Sequence, residues 1–228
     1  HAEIYTSCLV ACSLVAIFKN KNYLGILLLA LACLQNQPLT ILLGLFALIT
    51  LHRNGFSLKN IIKTGLLTSI ALIPPLFYYW NFETTNLIKE AGIFLDTKFI
   101  TVSRVTGFYT DLSQGMILTI PLMLMMYIPL VFIEVRKMFK KQIPFEFSVL
   151  IPFAVLVMSI TVATMGNWNH GMAIINRYAT WLSIVIMIHT FYLTHNLRPI
   201  VAIILFNCFF VTQLFTTLYH QQFNQHDW

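Results

Sequence analysis

The chain has 228 residues, 58% of them hydrophobic and only 10% charged, with a formal net charge of +6. A soluble domain carries about a quarter charged residues and could not solvate so apolar a surface, so the composition argues against a water-soluble protein and for a polytopic membrane protein. The excess of positive charge does not indicate nucleic acid as a partner, because Lys and Arg of membrane proteins collect in cytoplasmic loops.

The chain starts at His1 and runs directly into an apolar stretch with no basic segment or small-residue cleavage site ahead of it, which leads us to expect a portion of a longer protein lacking its first helices. In chain order the candidate spans are Ile4 to Phe18, Tyr23 to Leu34, Pro38 to Leu51, Ile61 to Trp80, Met116 to Glu134, Phe147 to Thr164, Ala179 to Thr194 and Pro199 to Leu218. The expected fold is therefore all-α: one transmembrane helical domain over residues 1–228, with about eight spans and two outer-face loops. The first three spans fall short of the roughly 20 residues that cross about 30 Å of hydrocarbon, and call for shelter by other helices or a thinned bilayer. Cys8 and Cys12 lie one helical turn apart and lack metal-site spacing, so buried thiols are expected there.

The break Gln35-Asn36-Gln37-Pro38 permits two readings, a hairpin or one long kinked helix over Tyr23 to Leu51. Charge decides between them. With a hairpin, one side of the membrane receives Lys19, Lys21, Arg53, Lys59, Lys63, Arg136, Lys137, Lys140, Lys141 and Arg198, against Lys89, Lys98, Arg104 and Arg177 on the other: ten to four. The kinked helix gives eight to six, a poorer fit to the positive-inside rule. The hairpin puts both termini outside, and with them the segments Asn81 to Gly115 and Met165 to Tyr178. Within the first, TTNLIKEAG is expected to form a short interfacial helix, while the β-branched stretch FLDTKFITVSRVTGFYTDLSQG reads as extended or irregular chain. The inner loops HRNGFSLKN and RKMFKKQ are short and basic, suited to anionic headgroups.

Most carboxylates fall outside, where they are suited to bind a divalent metal, to act as a general base, or to stand as solvated loop charges. Asp111 precedes the helix expected at Met116 and fits either a cap or an active-site role, and a helix start beside Arg104 also suits phosphate. Gly166 to Gly171 and Asn176-Arg177-Tyr178 gather Trp168, His170, Asn176, Arg177 and Tyr178 at one membrane boundary. Trp and Tyr there serve as interface anchors, whereas a guanidinium at the start of an apolar helix needs a carboxylate, carbonyl or phosphate partner. His189, inside the seventh span, is expected to be neutral and hydrogen-bonded between helices.

The hairpin YLGILLLALACLQNQPLTILLGLFALITL resembles the helix, polar-Pro break, helix unit of GT-C class membrane glycosyltransferases, the relatives of dolichyl-phosphate-mannose protein mannosyltransferases and of bacterial polyprenyl-phosphate-sugar transferases. HAEIYTSCLVACSLVAIF looks like that family's acidic residue at the outer mouth of a helix, with Glu3 in its place. GFYTDLSQGMILTIPLMLM and GNWNHGMAIINRYATWLSIVIM are similar to a polar turn before an apolar run with Pro, and to a late outer loop leading into an Arg-Tyr helix start. The resemblance implies transfer of a sugar from a polyprenyl-phosphate donor to an acceptor on the outer face of a bacterial inner membrane. The family's catalytic carboxylate would lie upstream of this chain, with Glu3 and Asp111 the candidates within it. Arg104, Asp111, Gln114, Trp168, His170, Asn176, Arg177 and Tyr178 would bind substrate, and either cationic side chains or a divalent metal, magnesium or manganese, would neutralise the departing phosphate; the resemblance requires no cofactor. An O-antigen polymerase or ligase, a transporter and a non-catalytic scaffold are the rival readings; nearly all charge lies at the membrane boundaries, which counts against a transporter.

Overall fold

The structure is a computed structural model that describes residues 2–85, 96–112, 115–118, 120–140, 147–164 and 177–194, together with Ile203 and Asn207. Among the described residues every regular element is helical. The α-helices are α1 (Ala2–Phe18), α2 (Asn22–Cys33), α3 (Thr40–Asn54), α4 (Leu58–Thr68), α5 (Ile73–Phe82), α6 (Val102–Thr110), α7 (Pro121–Phe139), α8 (Phe147–Ala163) and α9 (Arg177–Thr194).

The tightest pairing is α1 against α2. Gly25 makes it possible: a Cβ there would sit 2.5 Å from Ile17 Cγ1 and 3.1 Å from the Ser13 carbonyl. The close approach lets the Ser13 hydroxyl donate to the Gly25 carbonyl at 2.7 Å, and Val10, Leu14 and Ile17 bury completely together with Ile26 and Leu29. The turn between the two helices is closed by Asn20 in the left-handed region at φ 58°, with Lys21 N–H donating to the Ala16 carbonyl and Asn20 N–H to that of Ile17. This is the Schellman ending, with Asn in the position that usually takes glycine.

The Gln35–Pro38 break is a true interruption. Asn36 is extended at φ −132°, a single 3₁₀ turn Gln37–Leu39 follows, and α3 returns alongside α2. Asn36 Nδ2 donates to Thr6 Oγ1 at 2.8 Å, both side chains buried, which pins the hairpin tip to the start of α1. At the other end of the hairpin Gly55 (φ 84°) stops α3, Ser57 caps α4, and the Asn60 amide donates to the last carbonyls of α3, at Asn54 and Gly55.

α4 and α5 form one continuous helical run through a 3₁₀ turn, Ser69–Leu72. The cause is Pro74-Pro75, which have no N–H for the carbonyls of Ile70 and Ala71; the Ile73 N–H takes the Ile70 carbonyl instead. This run, Leu58–Phe82, is 25 residues long and is the one helix among the described residues that is long and apolar enough to cross a membrane. Its apolar side chains face outward, Trp80 being 88% exposed, and α5 buries none of its residues. The other apolar helices, Ile4–Phe18, Asn22–Cys33, Val149–Ala163 and Tyr178–Thr194, are shorter. The expected span Pro199 to Leu218 lies outside the described residues, except for Ile203 and Asn207.

Three expectations are corrected. Val102–Thr110 is an α-helix, not extended chain: Thr101 caps it by accepting from Arg104 N–H, and Val105, Phe108 and Tyr109 form one buried stripe against the rest of the core. The helix expected from Met116 starts at Pro121, because Met116–Leu118 forms a separate 3₁₀ turn and Pro121 is suited to the first helical position. Cys8 and Cys12 are exposed on the outer side of α1, and the buried thiol is Cys33. Between α7 and α9, Tyr127 Oη lies 3.0 Å from His189 Nδ1, the inter-helix hydrogen bond anticipated for that histidine.

If the Gly25 contact sets the helix spacing, Gly25→Ala should lower stability by about 1–3 kcal/mol, and trimming Ile17 to Ala in the same chain should recover part of that loss. Denaturation of the detergent-solubilised protein, run as a double-mutant cycle, checks this; additive losses would show that the two side chains do not meet.

Candidate functional site

Part of the first polar segment is seen at one end of the bundle, where the turn Asp96–Phe99 and α6 dock on the last turn of α8. Asp96 N–H donates to the Thr164 carbonyl at 3.0 Å, and Arg104 Nη1 donates to the Ala163 carbonyl at 3.2 Å. A helix C-terminus leaves such carbonyls without partners, and an N–H and a guanidinium satisfy them while opposing the negative end of the helix dipole. The Arg104 guanidinium also lies over the Phe99 ring, 4.7 Å from its centre.

Asp96 accepts from Lys98 twice, from its backbone N–H at 2.9 Å and from its ammonium at 2.9 Å. The Lys98 hydrogen bonds hold the exposed Asp96 carboxyl below the usual carboxylate range. A lowered carboxylate pKa contributes stability above the unfolded value of about 4 and loses it as the pH falls through the folded value.

Tyr109 anchors α6 from below. Its hydroxyl lies 2.6 Å from Ser159 Oγ, while Ser159 donates its own proton to the Val155 carbonyl at 2.8 Å. A hydroxyl has one proton, so the tyrosine is the donor in this pair. Past α6 the chain turns sharply. Asp111 N–H donates to the Gly107 carbonyl, and the Asp111 carbonyl accepts from Gly115 N–H at 2.9 Å. A Cβ on Gly115 would lie 2.7 Å from the Asp111 nitrogen and oxygen, so only glycine fits the turn.

The sequence-derived residues are distributed as follows. Arg104 and Asp111 stand at opposite ends of α6, the first over the end of α8 and the second at the turn toward Met116. Asp111 does not cap α7: that helix follows Ile120 with no side-chain cap. Arg177 is the first residue of α9, and Tyr178 behind it is buried edge-on against Trp181, ring centres 5.0 Å apart. Glu3 lies in the first turn of α1. Gln114, Trp168, His170 and Asn176, with the side chains of Glu3 and Arg177, lie outside the described residues. Sequence reading missed the parts of Asp96, Phe99, Tyr109 and Ser159. The spacing Thr101, Val105, Phe108, Tyr109, a cap followed by a helical apolar stripe, was the signal available for this element. Among the described residues no group of three His, Cys, Asp or Glu could hold a metal ion.

Two substitutions separate the contributions. Gly115→Ala forces a backbone collision and should cost about 1–3 kcal/mol, whereas Tyr109→Phe removes one donor and should cost about 0.6 kcal/mol, the usual worth of such a bond between helices in an apolar setting. Thermal unfolding in detergent ranks them; a Tyr109→Phe loss larger than that of Gly115→Ala would reverse the assignment.

Compared with protein-family models, with curated proteins and with solved structures, the chain matches none of them.

Proposed function

We propose that the chain is part of an integral membrane glycosyltransferase of GT-C type, which moves a sugar from a polyprenyl-phosphate donor to an acceptor at the outer face of a bacterial inner membrane. One observation supports this reading above the others. The Asp96 and Arg104 bonds to the carbonyls of Thr164 and Ala163 bring the first polar segment to the point where the second, from Met165 onward, departs. Side chains of both segments then serve one cavity at a membrane boundary, the depth at which a lipid-linked phosphate lies.

In this mechanism Arg177, at the start of α9, takes the donor phosphate in a two-pronged contact, assisted by Arg104 or His170. Asp111, Gln114, Trp168, Asn176 and Tyr178 position the sugar and acceptor. A carboxylate deprotonates the acceptor as it displaces the phosphate with inversion, and cationic side chains neutralise the leaving group; a divalent metal, if bound, would supply the same positive charge.

The reading requires eight spans, both ends outside, and basic loops inside. In this reading the end where Arg53 donates to the Ile17 carbonyl and to Asn22 is the inner one, and the end where Asn36 donates to Thr6 is the outer one. With the native cysteines replaced, single cysteines at Lys137 to Lys141 should be blocked only by reagents that reach the cytoplasm, and one at Trp168 by impermeant reagent from outside. The opposite pattern at either place overturns the topology.

In the full-length protein Arg177→Lys keeps the charge but loses the fork, and should slow donor use on the order of tenfold, about 1.4 kcal/mol, with Arg177→Ala costing more. Transfer from a radiolabelled lipid donor in proteoliposomes measures it. An Arg177→Ala protein that is folded and transfers sugar at the wild-type rate removes this residue from the mechanism; absence of any transfer by the wild type, with a range of polyprenyl donors, favours a scaffold or transporter.

A further inference from the structure

At the opposite, basic end of the bundle lies a cavity of about 290 Å³ walled by Asn20, Lys21, Asn22, Tyr23, Leu24 and Asn54. We propose that this cavity binds the phosphate of an anionic membrane lipid. The proposal rests on the reading of the chain as a membrane protein whose basic end meets a bilayer surface, and is independent of the glycosyltransferase chemistry.

The walls supply what a phosphate requires. Lys21 contributes an ammonium, and Asn20, Asn22 and Asn54 carry neutral amides that donate hydrogen bonds without competing for charge. Two further cations are fixed to the walls. Arg53 reaches the Ile17 carbonyl at 3.1 Å and Asn22 Oδ1 at 3.3 Å, and Lys63 sits 3.7 Å over the centre of the Tyr23 ring, whose hydroxyl donates to Asn60. The ion pairs given for the described residues, Lys98–Asp96 and Lys137–Glu134, lie elsewhere, and Lys19, Lys21, Lys59 and Lys63 pair with no described carboxylate. A concave, amide-lined space with Lys21 in its wall and Lys63 beside it, neither paired with a described carboxylate, focuses positive potential on whatever enters it.

Its surroundings select a lipid over a free anion. Leu24, in the wall itself, is 46% exposed, and α4, whose Lys63 lies over the Tyr23 ring, carries the outward apolar side chains Leu58, Ile61, Ile62 and Leu66 that begin the long face of the Leu58–Phe82 helix. A headgroup in the cavity would lay its acyl chains along that face, where a soluble phosphate has nothing to contact. The walls are also held in advance: the Asn20 turn closes α1 in left-handed geometry, and Asn60 ties the ends of α3 and α4 together. Little ordering then remains to be done on binding.

The test is native mass spectrometry of the purified full chain released from nanodiscs, with dioleoyl phosphatidylglycerol against dioleoyl phosphatidylcholine. Phosphatidylglycerol should be retained preferentially, and Lys21→Gln should weaken that preference by roughly tenfold, the worth of one charge-assisted contact. Asn54→Leu, which fills the cavity without altering charge, should weaken it as well. Lys137→Gln, a basic residue already paired with Glu134, should leave it unchanged, and melting temperatures of all variants show whether they are folded. Equal loss from Lys21→Gln and Lys137→Gln would mean diffuse charge and no site. Displacement of the lipid by millimolar inorganic phosphate would overturn the lipid assignment in favour of a soluble phosphate. Carbonate extraction of membranes separates the two levels of the argument: a chain that washes off fails the membrane reading, and one that stays but shows no headgroup preference fails the cavity alone.

Discussion

The bundle depends on how closely α1 can approach α2, and that distance is set where Ser13 and Ile17 meet a residue without a side chain, Gly25. At 17 and 12 residues these helices are short, about 26 and 18 Å at 1.5 Å per residue. Neither would be stable as an isolated element, so each must be held by neighbours along its length. Small residues allow this by letting backbones come near enough for dispersion contacts and for a hydroxyl to reach a carbonyl. α9 then packs on the other side of α1, with Phe18 stacked on Tyr192 at 4.0 Å, and α3 closes against α2.

With the centre fixed, the ends are tied by polar contacts. At one end two uncharged groups, Asn36 and Thr6, are buried together, and the Arg104 guanidinium joins α6 to α8; at the other a second guanidinium, Arg53, holds two segments at the edge of the bundle. A neutral pair can be enclosed at little cost, while cations remain where headgroups or water reach them. The outward faces of α4, α5 and α7 are apolar over long stretches, with Leu66, Phe77, Met125, Ile128 and Phe132 all exposed, more than a water-facing monomer usually shows.

Much of this was legible in the sequence because hydropathy and prolines are local signals. α1, α2, α4 with α5, α8 and α9 fall within a few residues of the expected spans, and the Gln35–Pro38 break was correctly read as a hairpin. The failures have different causes, and in one of them tertiary contact outweighed local preference. Val102–Thr110 carries residues that favour strands, yet its buried stripe pays for a helix once it docks near Ser159. The exposure of Cys8 and Cys12 could not be read either, because α1 is apolar all round and its composition does not say which side faces its neighbours. The start of α7 was legible in principle: a proline one residue after an isoleucine marks a helix entry more sharply than the hydropathy rise at Met116 does.

For the candidate site, sequence showed which segments carried chemistry but not which residue holds them together. Arg104 illustrates the gap. From its neighbours in the sequence it looked like a partner for a phosphate, whereas its guanidinium donates to the end of α8 and rests on Phe99. A planar guanidinium suits both tasks, one edge donating to a carbonyl while its face lies over a ring. Its first consequence is positional: it joins α6 to α8 and thereby fixes the point from which the chain runs on toward Arg177. An arginine placed this way acts first as a joint between elements, and any contact it makes with a ligand is built on that joint.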